Sequence, residues 1–183
     1  MAAAHPGTDE QFAQFVRSHT AALLKTGYLL TRNGPDAEEL VQDTLVWLYP
    51  RWHQVTAAEH PLAYVRKAVV NRFLAGQRRM SASEVRYDPT QQRFTEQPDQ
   101  RDATAEVDER LAIWRELGEL TERQRAALVL RFFHDLPDDE VAQVLDCRVG
   151  TVRSLISRSL TALRRAGSFA DDRTGSAYLR NVR

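Results

Sequence analysis

Apolar residues recur at intervals of three and four along most of the chain, and no stretch alternates convincingly between apolar and polar residues. The first such pattern contains Phe12, Phe15, Val16, Leu23 and Leu30. This spacing places side chains on one face of an α-helix, whereas a half-buried strand needs a period of two. The sequence therefore predicts an all-α protein.

Proline and capping residues divide this pattern into separate helices. Pro35 and Pro61 each suit the first position of a helix. Two pairs have the spacing of a capping box: Thr8 with Gln11, and Thr121 with Gln124. The predicted helices span residues 9–30, 35–49, 61–79, 107–117, 121–133, 141–145 and 149–165, with a loop at 51–60. The second helix is predicted to bury one stripe, made of Ala37, Leu40, Val41, Thr44, Leu45 and Leu48. The third is predicted to bury Leu62, Val65, Val69 and Phe73.

The helical pattern is interrupted at residues 81–103. This segment contains two prolines, four glutamines and little apolar periodicity, so it cannot bury enough surface to offset the entropy cost of ordering. We therefore predict two small helical domains, residues 9–80 and 104–166, joined by a flexible linker. A loosely ordered tail, residues 167–183, is expected to follow.

Positive charge is concentrated in two blocks, although the formal net charge is zero. Residues 60–83 and residues 147–166 each contain five basic side chains and no acidic one, whereas residues 84–110 hold eight acids and four arginines. An even distribution would argue against nucleic acid as a ligand. Two cationic blocks favour contacts with phosphates.

The second cationic block follows the arrangement of a helix-turn-helix. A short helix, a three-residue connection at 146–148 and a longer helix are typical of that motif. If Val152, Ile156 and Leu163 face the core, the opposite face carries short hydroxyls and arginines, which suit base edges and phosphates. The outward residues are Thr151, Arg153, Ser154, Ser157, Arg158, Thr161 and Arg165. The spacing by itself is equally compatible with an ordinary solvated helix.

The sequence lacks the usual signatures of an enzyme or a metalloprotein. Its five histidines have no metal-binding spacing, and no glycine-rich phosphate loop occurs. The single Cys147 excludes an internal disulfide and suits a small turn residue, with a redox-sensitive thiol as the alternative. No apolar run approaches the roughly 18 residues of a membrane span. We expect a cytoplasmic protein without catalysis, cofactor, metal or membrane insertion.

Two parts of the chain resemble bacterial sigma-70 family factors. The resemblance to region 4 lies in residues 120–132 (LTERQRAALVLRF), 140–142, 149–154 and 157–158. The resemblance to region 2 lies in residues 36–44 (DAEELVQDT) and in residues 61–79 around Asn71. The two regions occur in this order with no middle domain between them, and in this respect the chain resembles the extracytoplasmic-function group. Within that group, the sequence of the matched segments is most similar to the actinobacterial SigE-type family.

The resemblance implies a factor that binds core RNA polymerase and directs promoter recognition and DNA opening. Its implied partners are core RNA polymerase, promoter DNA and an anti-sigma factor. The implied polymerase-binding residues are Glu39, Gln42, Asp43 and Trp47. The implied contacts with the downstream promoter element are Arg66, Lys67, Asn71, Arg72, Arg78 and Arg79. Those with the upstream element are Arg148, Thr151, Arg153, Ser154, Ser157, Arg158 and Arg165.

Structural roles stay open for several of these residues. Glu39 sits where an acid favours the helix dipole in any case, and Trp47 can equally be core. Trp52, His53 and Tyr64 suit the capture of unstacked bases, with buried packing as the alternative role for Trp52 and Tyr64. The alternative function is a helix-turn-helix regulator that acts without core polymerase, or a module that sequesters a partner. The acidic helix and the block around Asn71 favour the initiation factor.

Four positions depart from the family pattern, and one of them is Leu155, which stands where polar residues are frequent and bears on base preference. Family members commonly have a serine, a glycine and a serine where Pro137, Asp146 and Arg148 stand. Proline is compatible with a first helical turn, and aspartate tolerates left-handed backbone better than most residues. Arg148 forfeits a side-chain cap that is worth about 1 kcal/mol, and contact with a phosphate is the alternative role for it.

Overall fold

The computed structural model describes the backbone of residues 6–83 and 120–165 and the side chains of residues 8–76 and 120–165. All regular structure in these ranges is helical, so the all-α prediction is confirmed. The helices are α1 (Pro6–Thr31), α2 (Gly34–Leu48), α3 (Trp52–Thr56), α4 (Pro61–Ser83), α5 (Glu122–Leu128), α6 (Asp138–Val144) and α7 (Val149–Arg165). A 3₁₀ turn, Tyr49–Arg51, precedes α3, and a π-helical turn, Val129–Phe133, continues α5.

The chain divides into two compact units, with the boundary between Phe73 and Leu74. Helix α4 continues to Ser83, so it is longer than predicted and extends into the first residues of the predicted linker. The rest of that linker, the predicted helix at 107–117 and the tail at 167–183 lie outside the described residues. The domain limits 9–80 and 104–166 stay a prediction.

Helices α1 and α2 run antiparallel and pack closely at both ends. A Cβ atom added to Gly27 would lie 3.0 Å from the carbonyl oxygen of Ala37 and 3.2 Å from its Cβ. At the other end, the Tyr49 hydroxyl donates a hydrogen bond of 2.6 Å to the Asp9 carboxylate. Glycine at position 27 therefore allows the two backbones to approach.

The start of α2 follows from its local sequence. The Asn33 side chain accepts a hydrogen bond of 3.2 Å from the backbone amide of Asp36, and Pro35 occupies the first turn. The predicted inward stripe is confirmed, because Ala37, Val41, Thr44, Leu45 and Leu48 are buried and Leu40 is half-buried. The capping box predicted from Thr8 and Gln11 is wrong: α1 begins at Pro6, so Thr8 already lies inside the helix.

The loop predicted at residues 51–60 is also wrong in part, because the segment contains α3. Trp52 is only 3% exposed, and its ring lies 5.0 Å from that of Phe12 and 5.1 Å from that of Phe15. Val55, three residues later, is fully buried. Burial of this pair against aromatic rings of α1 stabilises a helical turn that the local sequence does not signal.

Helix α4 buries Val65, Val69 and Phe73, as predicted. The Arg72 guanidinium lies 3.6 Å from the carboxylate of Asp43 on α2. The Tyr64 hydroxyl lies 3.5 Å from the side-chain oxygen of Gln54 on α3. Polar contacts at the surface thus accompany the buried apolar side chains of α4.

The second unit has the predicted helix-turn-helix. The Thr121 and Gln124 capping box is confirmed at the start of α5. Asp146, in the turn before α7, has a φ of 47°, the left-handed backbone expected for it. Helix α7 has the predicted limits and packs against both α5 and α6, with Val152, Ser159 and Leu163 buried.

Hydrogen bonds from the backbone and from a side chain hold the turn between α6 and α7. The backbone amide of half-buried Cys147 donates to the carbonyl oxygen of Ala142 at 3.0 Å, which fits a small turn residue. The Arg123 guanidinium donates to the carbonyl oxygen of Leu145 at 2.7 Å. Among the helices of residues 6–83 and 120–165, none has the length and hydrophobicity that a membrane span requires.

Candidate functional site

The outer face of α2 carries all four predicted polymerase-binding residues. The side chains of Glu39, Gln42, Asp43 and Trp47 are exposed. Val46 lies among them and is 72% exposed, although the sequence analysis missed it. Its position three residues after Asp43, off the buried stripe, is the signal by which the sequence identifies it. This set of five residues is called the α2 surface below.

Trp47 is a surface residue and not part of the core. Its side chain is 41% exposed, and the guanidinium carbon atoms of Arg51 and Arg72 lie 4.8 Å and 5.8 Å from the ring centre. Arg51 also donates a hydrogen bond of 2.9 Å to the carbonyl oxygen of Trp47. Cation–π contacts of this kind hold an aromatic ring in place at a surface.

The residues of α4 that the resemblance implies for the downstream element differ in exposure. Asn71 is exposed, and Lys67 and Arg72 are half-buried. Arg66 is half-buried as well, and burial lowers the pKa of Arg66. Within the described residues, nothing accepts a hydrogen bond from its buried Nε atom. The side chains of Arg78 and Arg79 lie outside the described residues.

The structure distinguishes among the aromatic residues considered for base capture. Trp52 is buried among aromatic rings and has a packing role. Tyr64 is half-buried at the start of α4, and His53 is exposed on α3. Only the last two present surface to a ligand.

The outer face of α7 matches the prediction closely. The predicted contacts with the upstream element are all exposed: Arg148, Thr151, Arg153, Ser154, Ser157, Arg158 and Arg165. Thr161 is half-buried, and its hydroxyl donates to the carbonyl oxygen of Ser157 at 2.9 Å. The helix therefore presents short hydroxyls and arginines on one continuous side.

A further acidic residue lies against this face. The two carboxylate oxygens of Asp138 lie 3.3 Å from Nε of Arg131 and 3.1 Å from Nε of Arg153. The sequence analysis did not identify Asp138, because its partners lie 7 and 15 residues away along the chain. A run of acids at the start of α6, which precedes an arginine-bearing helix, was the available signal.

Comparison with known proteins finds related sequences and a related fold. The sequence pattern of the family described as Sigma-70, region 4, matches residues 110–163. The RNA polymerase sigma-E factor of Streptomyces coelicolor is 32% identical over 154 residues, which are 84% of each chain. That of Streptomyces avermitilis is 31% identical over 154 residues, which are 84% of this chain and 83% of the relative.

The fold has a solved counterpart as well. It is the sigma factor RpoE from Bartonella quintana, crystallised in complex with the anti-sigma factor NepR, with a TM-score of 0.67 and 22% sequence identity. The match covers 88% of this chain and 99% of that chain. This likeness shows a shared fold, and the identity to the two Streptomyces proteins extends over most of both sequences. The protein therefore belongs to the family of RNA polymerase sigma factors, with the sigma-E factors among its relatives.

Proposed function

We propose that this sigma factor binds core RNA polymerase through the α2 surface and contacts the two promoter elements through α4 and α7. The observation that carries the proposal is the α2 surface itself. Two carboxylates, an amide and two exposed apolar side chains occupy one side of a helix whose other side is buried. A module that only binds DNA has no use for an acidic face with an apolar centre.

The chemistry of the α2 surface indicates its partner. Val46 and Trp47 supply apolar area, and Glu39 and Asp43 supply negative charge around it. Protein interfaces commonly combine an apolar centre with a charged rim whose sign complements that of the partner. We therefore assign this surface to an arginine-bearing segment of the polymerase.

The two DNA-binding helices are assigned to separate promoter elements. Helix α7 is the second helix of a helix-turn-helix, which enters the major groove in proteins of that class; we assign it to the upstream element. Lys67, Asn71 and Arg72 on α4 are assigned to the downstream element, where DNA opens. We expect each helix alone to bind DNA weakly, so specific binding requires that polymerase hold both units on one DNA molecule.

The proposal involves binding alone. We assign no covalent step, cofactor or metal to the protein, and we place its action in the cytoplasm together with the polymerase. The RpoE relative was crystallised with an anti-sigma factor. We propose that this protein also has an anti-sigma partner, which inhibits it by competing with polymerase or DNA.

Reconstitution with core polymerase and a promoter library tests the function. We expect transcripts that start downstream of a shared pair of sequence elements, and only when both the protein and core polymerase are present. The Arg158→Ala variant should bind the promoter more weakly while still associating with core polymerase. Specific DNA binding that is equally tight without polymerase would instead support a helix-turn-helix regulator.

A further inference from the structure

Asp138 connects three consecutive segments of the second unit. It is the first residue of α6, one of its carboxylate oxygens lies 3.3 Å from Nε of Arg131 in the π-helical turn, and the other lies 3.1 Å from Nε of Arg153 on α7. The contact with Arg153 is a hydrogen bond as well as an ion pair. One side chain thus links the recognition helix to the segment that precedes the motif.

The carboxylate is anchored on the side away from α7. Arg131 donates a hydrogen bond of 3.4 Å to the carbonyl oxygen of Leu136, lies 4.0 Å from the carboxylate of Asp135 and stacks 5.8 Å from the ring centre of Phe132. The side chain of Asp138 is only 27% exposed. A lone exposed ion pair has little directional effect, but this carboxylate is restrained by a guanidinium that is itself attached to the backbone.

The contact with Asp138 determines which edge of Arg153 is available. Asp138 accepts from Nε, so the two terminal nitrogens of the planar guanidinium lie on the far side of the group. Those two nitrogens form the fork that recognises the O6 and N7 atoms of guanine. Arg153 is 72% exposed and lies in the N-terminal part of α7, the part of a recognition helix that reaches base edges.

We propose that Asp138 is a positioning residue, which holds Arg153 so that its terminal nitrogens read a base in the upstream promoter element. The inference rests on the proposed function, since it requires that α7 bind DNA. The same carboxylate repels phosphates, and this weakens binding to unrelated DNA. Both effects increase the discrimination between the promoter and other sequences.

The experiment measures discrimination in the holoenzyme. The probe is a promoter selected from a random library by the wild-type holoenzyme, compared with a copy in which one upstream base pair at a time is changed. The quantity measured is the affinity for the selected promoter divided by the affinity for the changed copy. For Asp138→Asn we expect this ratio to fall about 3- to 10-fold at the base pair read by Arg153, because the freed Arg153 side chain must be ordered on binding. The ratios at other positions should stay unchanged.

Two comparisons separate positioning from charge and from stability. Asp139→Asn removes the same charge from an exposed neighbouring residue, so it should leave the ratio unchanged. In an Arg153→Ala background, Asp138→Asn should cause no further loss of discrimination, because the residue acts only through Arg153. Arg153→Lys keeps the charge but lacks the fork of terminal nitrogens, so its affinity ratio should fall as far as that of Arg153→Ala. This variant leaves Asp138 intact.

Three results would overturn the inference: an unchanged ratio in Asp138→Asn, an equal fall in the Arg153→Ala background, or full discrimination in Arg153→Lys. A wild-type holoenzyme without any upstream preference would contradict the proposed function instead. The two failures are therefore distinguishable in the same set of measurements.

Discussion

The Arg72 guanidinium on α4 lies 3.6 Å from the Asp43 carboxylate on α2. The resemblance implied polymerase binding for Asp43 and DNA binding for Arg72, as two independent roles. In the structure they are in contact, and Arg72 also lies beside the Trp47 ring. The polymerase-binding and DNA-binding surfaces proposed for the first unit therefore share an edge.

Charge reversal at Asp43 should weaken polymerase binding. Asp43→Lys removes an attractive charge from the α2 surface and places a cation next to Arg72, so we expect the affinity for core polymerase to fall roughly tenfold, mainly through slower association. Surface plasmon resonance at two salt concentrations measures both effects. Glu59→Lys, a charge reversal at an exposed residue outside the α2 surface, is the control. Unchanged affinity for Asp43→Lys would remove this residue from the docking face.

Val46 should contribute to binding and not to folding. Because its side chain is 72% exposed, Val46→Glu should change the free energy of unfolding by less than about 0.5 kcal/mol. A charge in the apolar centre of the interface should weaken polymerase binding by more than tenfold, whereas Val46→Ile should bind normally. Thermal unfolding and a polymerase binding assay measure the two effects. Normal binding by Val46→Glu would show that the interface lies elsewhere.

Arg158 should act on DNA alone. We expect Arg158→Ala to weaken promoter binding by the holoenzyme and to leave association with core polymerase unchanged. If its role is contact with a phosphate, the slope of log affinity against log salt should fall by about one, and Arg158→Lys should restore the slope. Loss of core association in Arg158→Ala would mean that α7 has been assigned to the wrong partner.

Two glycines in helices should respond in opposite directions to added side chains. Gly27→Leu should destabilise the first unit by about 1–3 kcal/mol, because the added atoms meet the Ala37 backbone. At Gly76 no described residue lies within 4 Å of an added Cβ, so Gly76→Ala should stabilise α4 by about 0.5–1 kcal/mol. Thermal unfolding tests both. A Gly27→Leu variant as stable as the wild type would contradict the close packing of α1 and α2.

Tyr49 should make stability depend on pH in the alkaline range. The hydrogen bond to Asp9, with a smaller effect of desolvation and of the Asp9 charge, raises the pKa of Tyr49. The folded state therefore binds this proton more tightly than the unfolded state does. The resulting stability is present below the unfolded tyrosine pKa of about 10 and is lost as pH rises through the folded-state pKa.

Melting temperatures measured from about pH 9 to about pH 11 check this dependence. Tyr49→Phe has no proton to lose, so its stability should decline less steeply than that of the wild type. Asp9→Asn removes the charged acceptor and should have the same effect. Identical pH profiles for Tyr49→Phe and wild type would show that the bond to Asp9 does not persist in solution.

The local sequence by itself determined most of the helices and the faces they bury. The predicted limits of α7, the inward stripe of α2, the capping box at Thr121 and the left-handed backbone of Asp146 are all confirmed. Each of these features depends on residues within a few positions of one another, and periodicity and capping chemistry report on such short-range contacts.

Tertiary structure alone decided how side chains from different helices are paired. Trp52 forms a helical turn because it packs on Phe12, 40 residues earlier, and its own neighbours in sequence do not signal this. Likewise, Asp43 meets Arg72 and Asp138 meets Arg153 only after their helices have packed. Charge patterning shows which residues are cationic, but the packing of the helices decides which of those cations face an acid.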